Sequence, residues 1–255
     1  MPLELVTIPC LQDNYAFLLH STETGETALI DIPEAPPISA ALAERGWKLT
    51  DIWITHHHWD HVDGLNDLAE ASDARIVGAA DDKDRLPPLN LSVSDGQTFS
   101  FGGHDVQVFD VSGHTMGHIA FYVPDAGAVF TADSLMAMGC GRLFEGSPQV
   151  MWKSLSKLAA LPPATIVCSG HEYTAANAKF ALTVDPDNPD LVARVAEIEA
   201  LRANGQPTVP SSLSLELQTN PFLRAVSPSV KAHIGMPDAT DADCFAEIRR
   251  RKDNF

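Results

Sequence analysis

Along the first 170 or so residues, apolar positions come in short runs parted by Gly, Pro, Asn and Asp, the spacing of strands and turns. LELVTI from Leu3, YAFLLH from Tyr15, TALIDI from Thr27 and LTDIWIT from Leu49 predict strands. Between the last two, PPISAALAERG has prolines where a helix can begin and Gly46 where one can stop, so a short helix is expected. ARIVGA from Ala74, DVQVFDV from Asp105, HIAFYV from His118 and AVFTA from Ala128 predict further strands. After Ser147 the period lengthens. MWKSLSKLAAL from Met151 reads as helix, and ATIVCSG from Ala164 as one more apolar strand, ending just before His171. Beyond it, YTAANAKFALTV, DLVARVAEIEALRANG and DADCFAEIRRRKDNF carry helical stripes, so a strand-rich α/β part precedes a helical part, with the boundary near residue 170.

The 255 residues are 45% hydrophobic and 20% charged, a globular composition that excludes disorder and fibrous repeats. With 17 Lys and Arg against 34 Asp and Glu, the net charge of −17 repels nucleic acid and anionic membrane surfaces. Against that background Arg249, Arg250, Arg251 and Lys252 stand together near the end of the chain. Four scattered cysteines without a CxxC pair point to a reducing compartment. The start has no basic region ahead of an apolar stretch, and no apolar run is long enough to span a membrane, so a cytoplasmic location is expected.

Four of the ten histidines fall in THHHWDHVDG, immediately after the strand ending at Thr55. His56, His58, Asp60 and His61 form the pattern HxHxDH, in which alternate positions of an extended backbone project to one side and His57 and Trp59 face away. Four donors within six residues crowd a mononuclear site, which points to two metals. The bland alternative is a surface histidine run with adventitious metal affinity. Against it stand the strand-loop-helix context, with HVDGLNDLAEA expected as an amphipathic helix, and further donors at other strand ends: His114, Asp133 and His171. The cysteines stand in no ligand motif and read as small buried hydrophobes.

Together THxHxDHxxG, SGHTxGH, FTAD and GHEY resemble the metallo-β-lactamase superfamily, and within it the glyoxalase II (hydroxyacylglutathione hydrolase) family. That likeness runs from Asp13-Asn14-Tyr15 through Cys140-Gly141-Arg142 and Asn220-Pro221-Phe222 to the terminal basic segment, essentially the whole chain. It implies an α/β fold, a four-layer αββα sandwich over residues 1–172, and a C-terminal all-helical, glutathione-binding domain over 173–255. It also implies that His56, His58 and His114 hold one divalent ion, that Asp60, His61 and His171 hold the other, and that Asp133 bridges them. The metals would be zinc, with iron or manganese as alternatives. Class B β-lactamases usually have Cys where Asp133 stands, and flavodiiron proteins have Glu where His58 stands, which argues against both activities.

For the tail, the resemblance makes Arg249 and Lys252 ligands of the glutathione glycine carboxylate and Tyr173 a contact to the peptide. Arg142 and Phe144 stand where other members have Lys and Tyr, so one hydroxyl is missing. Without the family, the basic run would be only a helix end favoured by the dipole. The implied activity is hydrolysis of S-D-lactoylglutathione to D-lactate and glutathione, the second step of methylglyoxal detoxification, through a hydroxide shared by the metals. In this scheme Asp60 orients the nucleophile, Asp133 holds the ions close, and the enzyme is a monomer whose partner is a small glutathione thioester. The competing readings are a glutathione persulfide dioxygenase of the same fold, and a metal-free, non-catalytic binding scaffold.

Overall fold

The computed structural model describes residues 2–68, 71 and 73–255, and its chain divides into two compact units, Met1–Asp110 with Met116–Ala132, and Val111–Thr115 with Asp133–Phe255.

In the first unit the expected runs form strands. A six-stranded sheet takes β1 (Leu3–Cys10), β2 (Asn14–Ser21), β3 (Thr27–Ile30), β4 (Asp51–Trp53), β5 (Arg75–Ala79) and β6 (Leu91–Val93) in chain order. Its first two pairings are antiparallel, and those from β3 onward are parallel. The parallel β3–β4 step needs a crossover, which α1 (Ala35–Arg45) provides. Prolines open this helix, and Gly46 closes it at φ 66°, where it donates to the Ala43 carbonyl. The strands β7 (Thr98–Phe101), β8 (His104–Asp110), β9 (Ile119–Val123) and β10 (Ala128–Ala132) pair antiparallel in succession. Fully buried Trp53 of the first sheet meets Phe99, Phe101, Phe121 and Phe130 with ring centroids 5.3 to 6.2 Å away. Trp53→Ala would cost about 3–5 kcal/mol by removing this keystone.

The segment after the histidine run departs from the expected amphipathic helix. One turn, α2 (Trp59–Val62), is followed by a 3₁₀ stretch over Asp63–Asp67, and residues 69 and 70 lie outside the described residues. Backbone bonds divert the chain: the His61 carbonyl accepts from Ile32 N at 2.8 Å, where a continuing helix would offer it Leu65 N. Gly64 N in turn donates to the Ile32 carbonyl at 3.0 Å, and a Cβ on Gly64 would come within 2.8 Å of the Glu34 backbone.

The second unit holds a two-residue-strand hairpin, β11 (Leu135–Met136) with β12 (Gly139–Cys140), and an antiparallel pair, β13 (Ile166–Ser169) with β14 (Ser211–Ser212). Around them lie α3 (Pro148–Ala159), α4 (Thr174–Ala181), α5 (Pro189–Ala203), α6 (Leu213–Thr219), α7 (Pro228–His233) and α8 (Asp241–Asp253). Side-chain caps start several of them: Ser147 for α3, Asn188 for α5, Ser212 for α6 and Thr240 for α8. The stripe Leu191, Val195 and Ile198 packs with Ala178, Ala181 and Met138. Trp152, Phe245, Phe222 and Phe180 form a chain of ring contacts about 6 Å apart. Among the described residues no helix is long and apolar enough to cross a membrane.

Candidate metal and substrate site

In the first unit, strand β4 ends in Trp53 and the extended backbone continues through His56 to His58, the cap residue of α2. His57 does point away, its Nδ1 2.8 Å from Asp82 Oδ2, and Trp59 is 64% exposed. Asp60 is brought round by the helical turn and not by strand alternation. The result gathers the donors: the His56 ring lies 4.8 Å from that of His58 and 4.2 Å from that of His61, and His61 Nε2 is 3.8 Å from Asp60 Oδ2. Asn14 steadies Asp60, donating to its Oδ2 and its carbonyl at 3.1 Å each.

Behind them sits Asp31, which the sequence reading missed. Buried on left-handed backbone, it accepts from Thr55 N at 2.9 Å, Thr55 Oγ1 at 2.8 Å and His61 Nδ1 at 2.8 Å. Since the Thr55 hydroxyl donates to Asp31, its lone pair accepts from His56 Nδ1, 3.0 Å away. Protons on both Nδ1 atoms leave Nε2 of the neutral rings as the ligating lone pairs. The signal in the sequence was a lone carboxylate ending the apolar run TALIDI, next to another strand end that carries histidines. His118 stacks on His56 at 4.5 Å.

In the second unit, His114 Nδ1 donates to the Arg142 carbonyl at 2.7 Å, which again leaves Nε2 as the lone pair. That Nε2 lies 3.3 Å from Asp133 Oδ2, while His171 Nε2 lies 3.2 Å from Asp133 Oδ1. At His114 that lone pair faces a carboxylate oxygen, which is repulsive unless a cation mediates. Two donors about 2.1 Å from one ion at tetrahedral angles stand about 3.4 Å apart. Each Asp133 oxygen therefore has a separate imidazole partner at ligand spacing, so the residues fit a carboxylate shared by two cations. Gly141 makes this possible, because a Cβ there would collide with the Asp133 carbonyl and come within 2.9 Å of His114 Nδ1.

The expected substrate residues also belong to this unit. Tyr173 stacks on His171 at 4.7 Å and 5°, and Phe144, 61% exposed, sets its edge against the His114 ring at 5.3 Å. Arg142 lies over the Phe144 ring at 5.9 Å. Of the basic cluster, Arg250 and Arg251 pair with Glu247 at 2.8 Å, which holds that carboxyl down at about 2. Arg249 points the other way and is 6% exposed, donating to the Cys140 carbonyl at 3.0 Å and to Asp253 at 2.7 Å, with Phe222 under its guanidinium. Lys252 Nζ donates to the Ala176 carbonyl at 3.2 Å and lies over Phe180 and Phe255. Burial, then Arg249, lowers its pKa from the usual lysine value. All four cysteines are buried free thiols, pushed up by burial to about 12 at Cys10 and about 11 at Cys140 and Cys244.

Residues 14–171 match the metallo-β-lactamase superfamily, so the chain is α/β with the mixed sheets of that fold, followed by a helical C-terminal part. Residues 172–255 match the hydroxyacylglutathione hydrolase C-terminus. The whole chain is 64% identical to the hydroxyacylglutathione hydrolase of Roseobacter denitrificans (strain ATCC 33942 / OCh 114), covering 100% of both. The chain belongs to the hydroxyacylglutathione hydrolase family, thioester hydrolases of that superfamily. In fold it is similar to the ETHE1 protein of Myxococcus xanthus, with a TM-score of 0.67 at 23% identity over 98% of this chain and 90% of that one. It is also similar to a protein solved in a di-iron-bound form, with a TM-score of 0.61 at 28% identity over 86% of this chain and 100% of that one.

Proposed function

We propose that the protein hydrolyses S-D-lactoylglutathione to D-lactate and glutathione, as a cytoplasmic monomer. The observation that carries this reading is the full-length match to a hydroxyacylglutathione hydrolase at 64% identity. The Asp133 carboxylate, which offers one oxygen to each of two imidazoles, supports a two-ion site. In that reading His56, His58 and His114 hold one divalent ion, Asp60, His61 and His171 the other, and Asp133 is shared. The ions, zinc or else iron or manganese, would acidify water and polarise the thioester carbonyl.

The chain's own groups supply the rest. Asp60, fixed by Asn14, orients the attacking water by accepting its hydrogen bond. Asp31 and Thr55 keep His61 and His56 in the ligating tautomer. The departing thiolate has an intrinsic pKa of about 8.5, so it leaves without a proton donor. Residues 173–255 serve as the glutathione-binding part: Lys252 and Arg249 take the glycine carboxylate, and Tyr173 and Arg142 flank the peptide. Phe144 meets the His114 ring edge-on and donates nothing. The test is thiol release from S-D-lactoylglutathione by metal-loaded protein. One free thiol per D-lactate is expected. Silence toward the thioester with oxygen uptake on glutathione persulfide would replace hydrolysis by the dioxygenase reading.

A further inference from the structure

Leu135, Met136, Ala137, Met138 and Cys140 of the hairpin β11–β12 are all buried, and three helices reach its backbone with side-chain donors. Asn220, the cap residue of α6, puts its amide nitrogen 3.0 Å from both the Met136 and the Gly139 carbonyls. The same nitrogen lies 3.0 Å from Glu216 Oε2, which accepts from Met138 N at 2.8 Å, and Met138 stands at φ 59°. Glu216 is itself fully buried, paired with Arg194, and accepts from Ser211 Oγ at 2.6 Å. From α4, Asn177 donates to the Ala137 carbonyl at 3.2 Å, so close to Gly139 that any Cβ there would strike its amide. From α8, Arg249 donates to the Cys140 carbonyl. Every carbonyl from Met136 to Cys140 except that of Met138 is thus held by a side chain of the helical part.

The chain leaving this clamp is the piece that sets the metal ligands of the second unit. Gly141 N donates to the Ser134 carbonyl at 3.1 Å beside Asp133, and the next carbonyl, Arg142, accepts a hydrogen bond from His114 Nδ1 at 2.7 Å. We infer that Asn220, seconded by Asn177, is a positioning residue for the metal centre: through the hairpin it fixes where the Arg142 carbonyl holds His114 and where Asp133 presents its oxygens. The helical part then tunes the reaction centre as well as holding substrate. This inference rests on the metal-dependent reading proposed above.

The experiment strips the protein with chelator, titrates it with zinc, and repeats this for Asn220→Asp, Asn177→Ser and, as a control for lost stability alone, Val230→Ala on α7. Asn220→Asp keeps the shape but puts an acceptor where two carbonyls need a donor. Its zinc affinity should fall about tenfold or more, the loss typical of groups that orient ligands, with kcat falling at unchanged KM. Asn177→Ser should weaken zinc in the same direction, and it alone decides if Asn220→Asp does not fold. Val230→Ala should melt earlier and keep wild-type zinc affinity. Unchanged affinity in the folded hairpin variants, or an equal loss in Val230→Ala, would overturn the inference and leave the metal reading standing. Wild-type protein that binds none of zinc, iron and manganese would overturn both.

Discussion

The Asp31 carboxylate accepts a 2.8 Å hydrogen bond from His61 Nδ1 while standing on backbone at φ 58°. Asp and Asn are the residues that enter this left-handed region at little cost, so backbone conformation and ligand orientation meet at one position. Asp31→Asn keeps the backbone but has one acceptor oxygen for three donors and no charge. Metal affinity should fall about 10–100-fold, measured by competition with a chromogenic chelator. Asp31→Ala should show the same loss together with an earlier thermal midpoint, because Ala tolerates that φ poorly.

Lys252 and Arg249 should separate by the kind of damage their loss causes. A charge-assisted bond to a remote substrate carboxylate is worth about 1.5–3 kcal/mol, so Lys252→Ala should raise KM about tenfold to a hundredfold at nearly constant kcat. Arg249 also satisfies the Cys140 carbonyl and Asp253. Arg249→Ala should therefore raise KM, lower kcat and lower the melting temperature together. Steady-state kinetics and a melting curve on each variant check this, and an unchanged KM in the double variant would make the basic cluster a helix end only.

The pH dependence of KM has a definite sign. Burial and the neighbouring Arg249 lower the Lys252 pKa, so this lysine sheds its proton at a lower pH than an exposed one. The charged form holds the carboxylate, so KM should rise as the medium becomes alkaline. In Lys252→Arg, whose guanidinium stays charged, that rise should flatten. Initial rates from neutral to alkaline pH, corrected for spontaneous thioester hydrolysis, read it directly.

Burial pushes the thiols up, Cys168 furthest, so none supplies a thiolate near neutral pH. Folded protein should react slowly with iodoacetamide, and single Cys→Ser changes should leave kcat largely intact. A correctly folded Cys140→Ser enzyme with a large loss of kcat would restore a nucleophilic cysteine.

Much of this was legible in the sequence because apolar runs between turn residues leave little choice, as at TALIDI and HIAFYV. The donors at residues 56–61, 114, 133 and 171 could be read because histidine and aspartate are conspicuous at strand ends. Short pieces could not: β11, β12 and β14 are two residues each, too brief for any period. Asp31 was hidden in the apolar run TALIDI, one residue past the end of β3 and followed by another Ile. Arg249 was legible as a charge and opaque as a buried one, since helical spacing does not tell which of four cations turns inward. The helix expected after His61 failed because Ile32, distant in sequence, takes the carbonyl that helix would have used.

Hydrolysis as proposed needs two ions, which His56, His58, His114, Asp60, His61, His171 and a shared Asp133 would hold. The most direct measurement titrates chelator-stripped protein with zinc and follows bound zinc and thiol release from S-D-lactoylglutathione in the same sample. Full turnover should be reached only as the second equivalent binds, and Asp133→Ala should never reach it. Full turnover at one equivalent, or in protein that holds none, would contradict it.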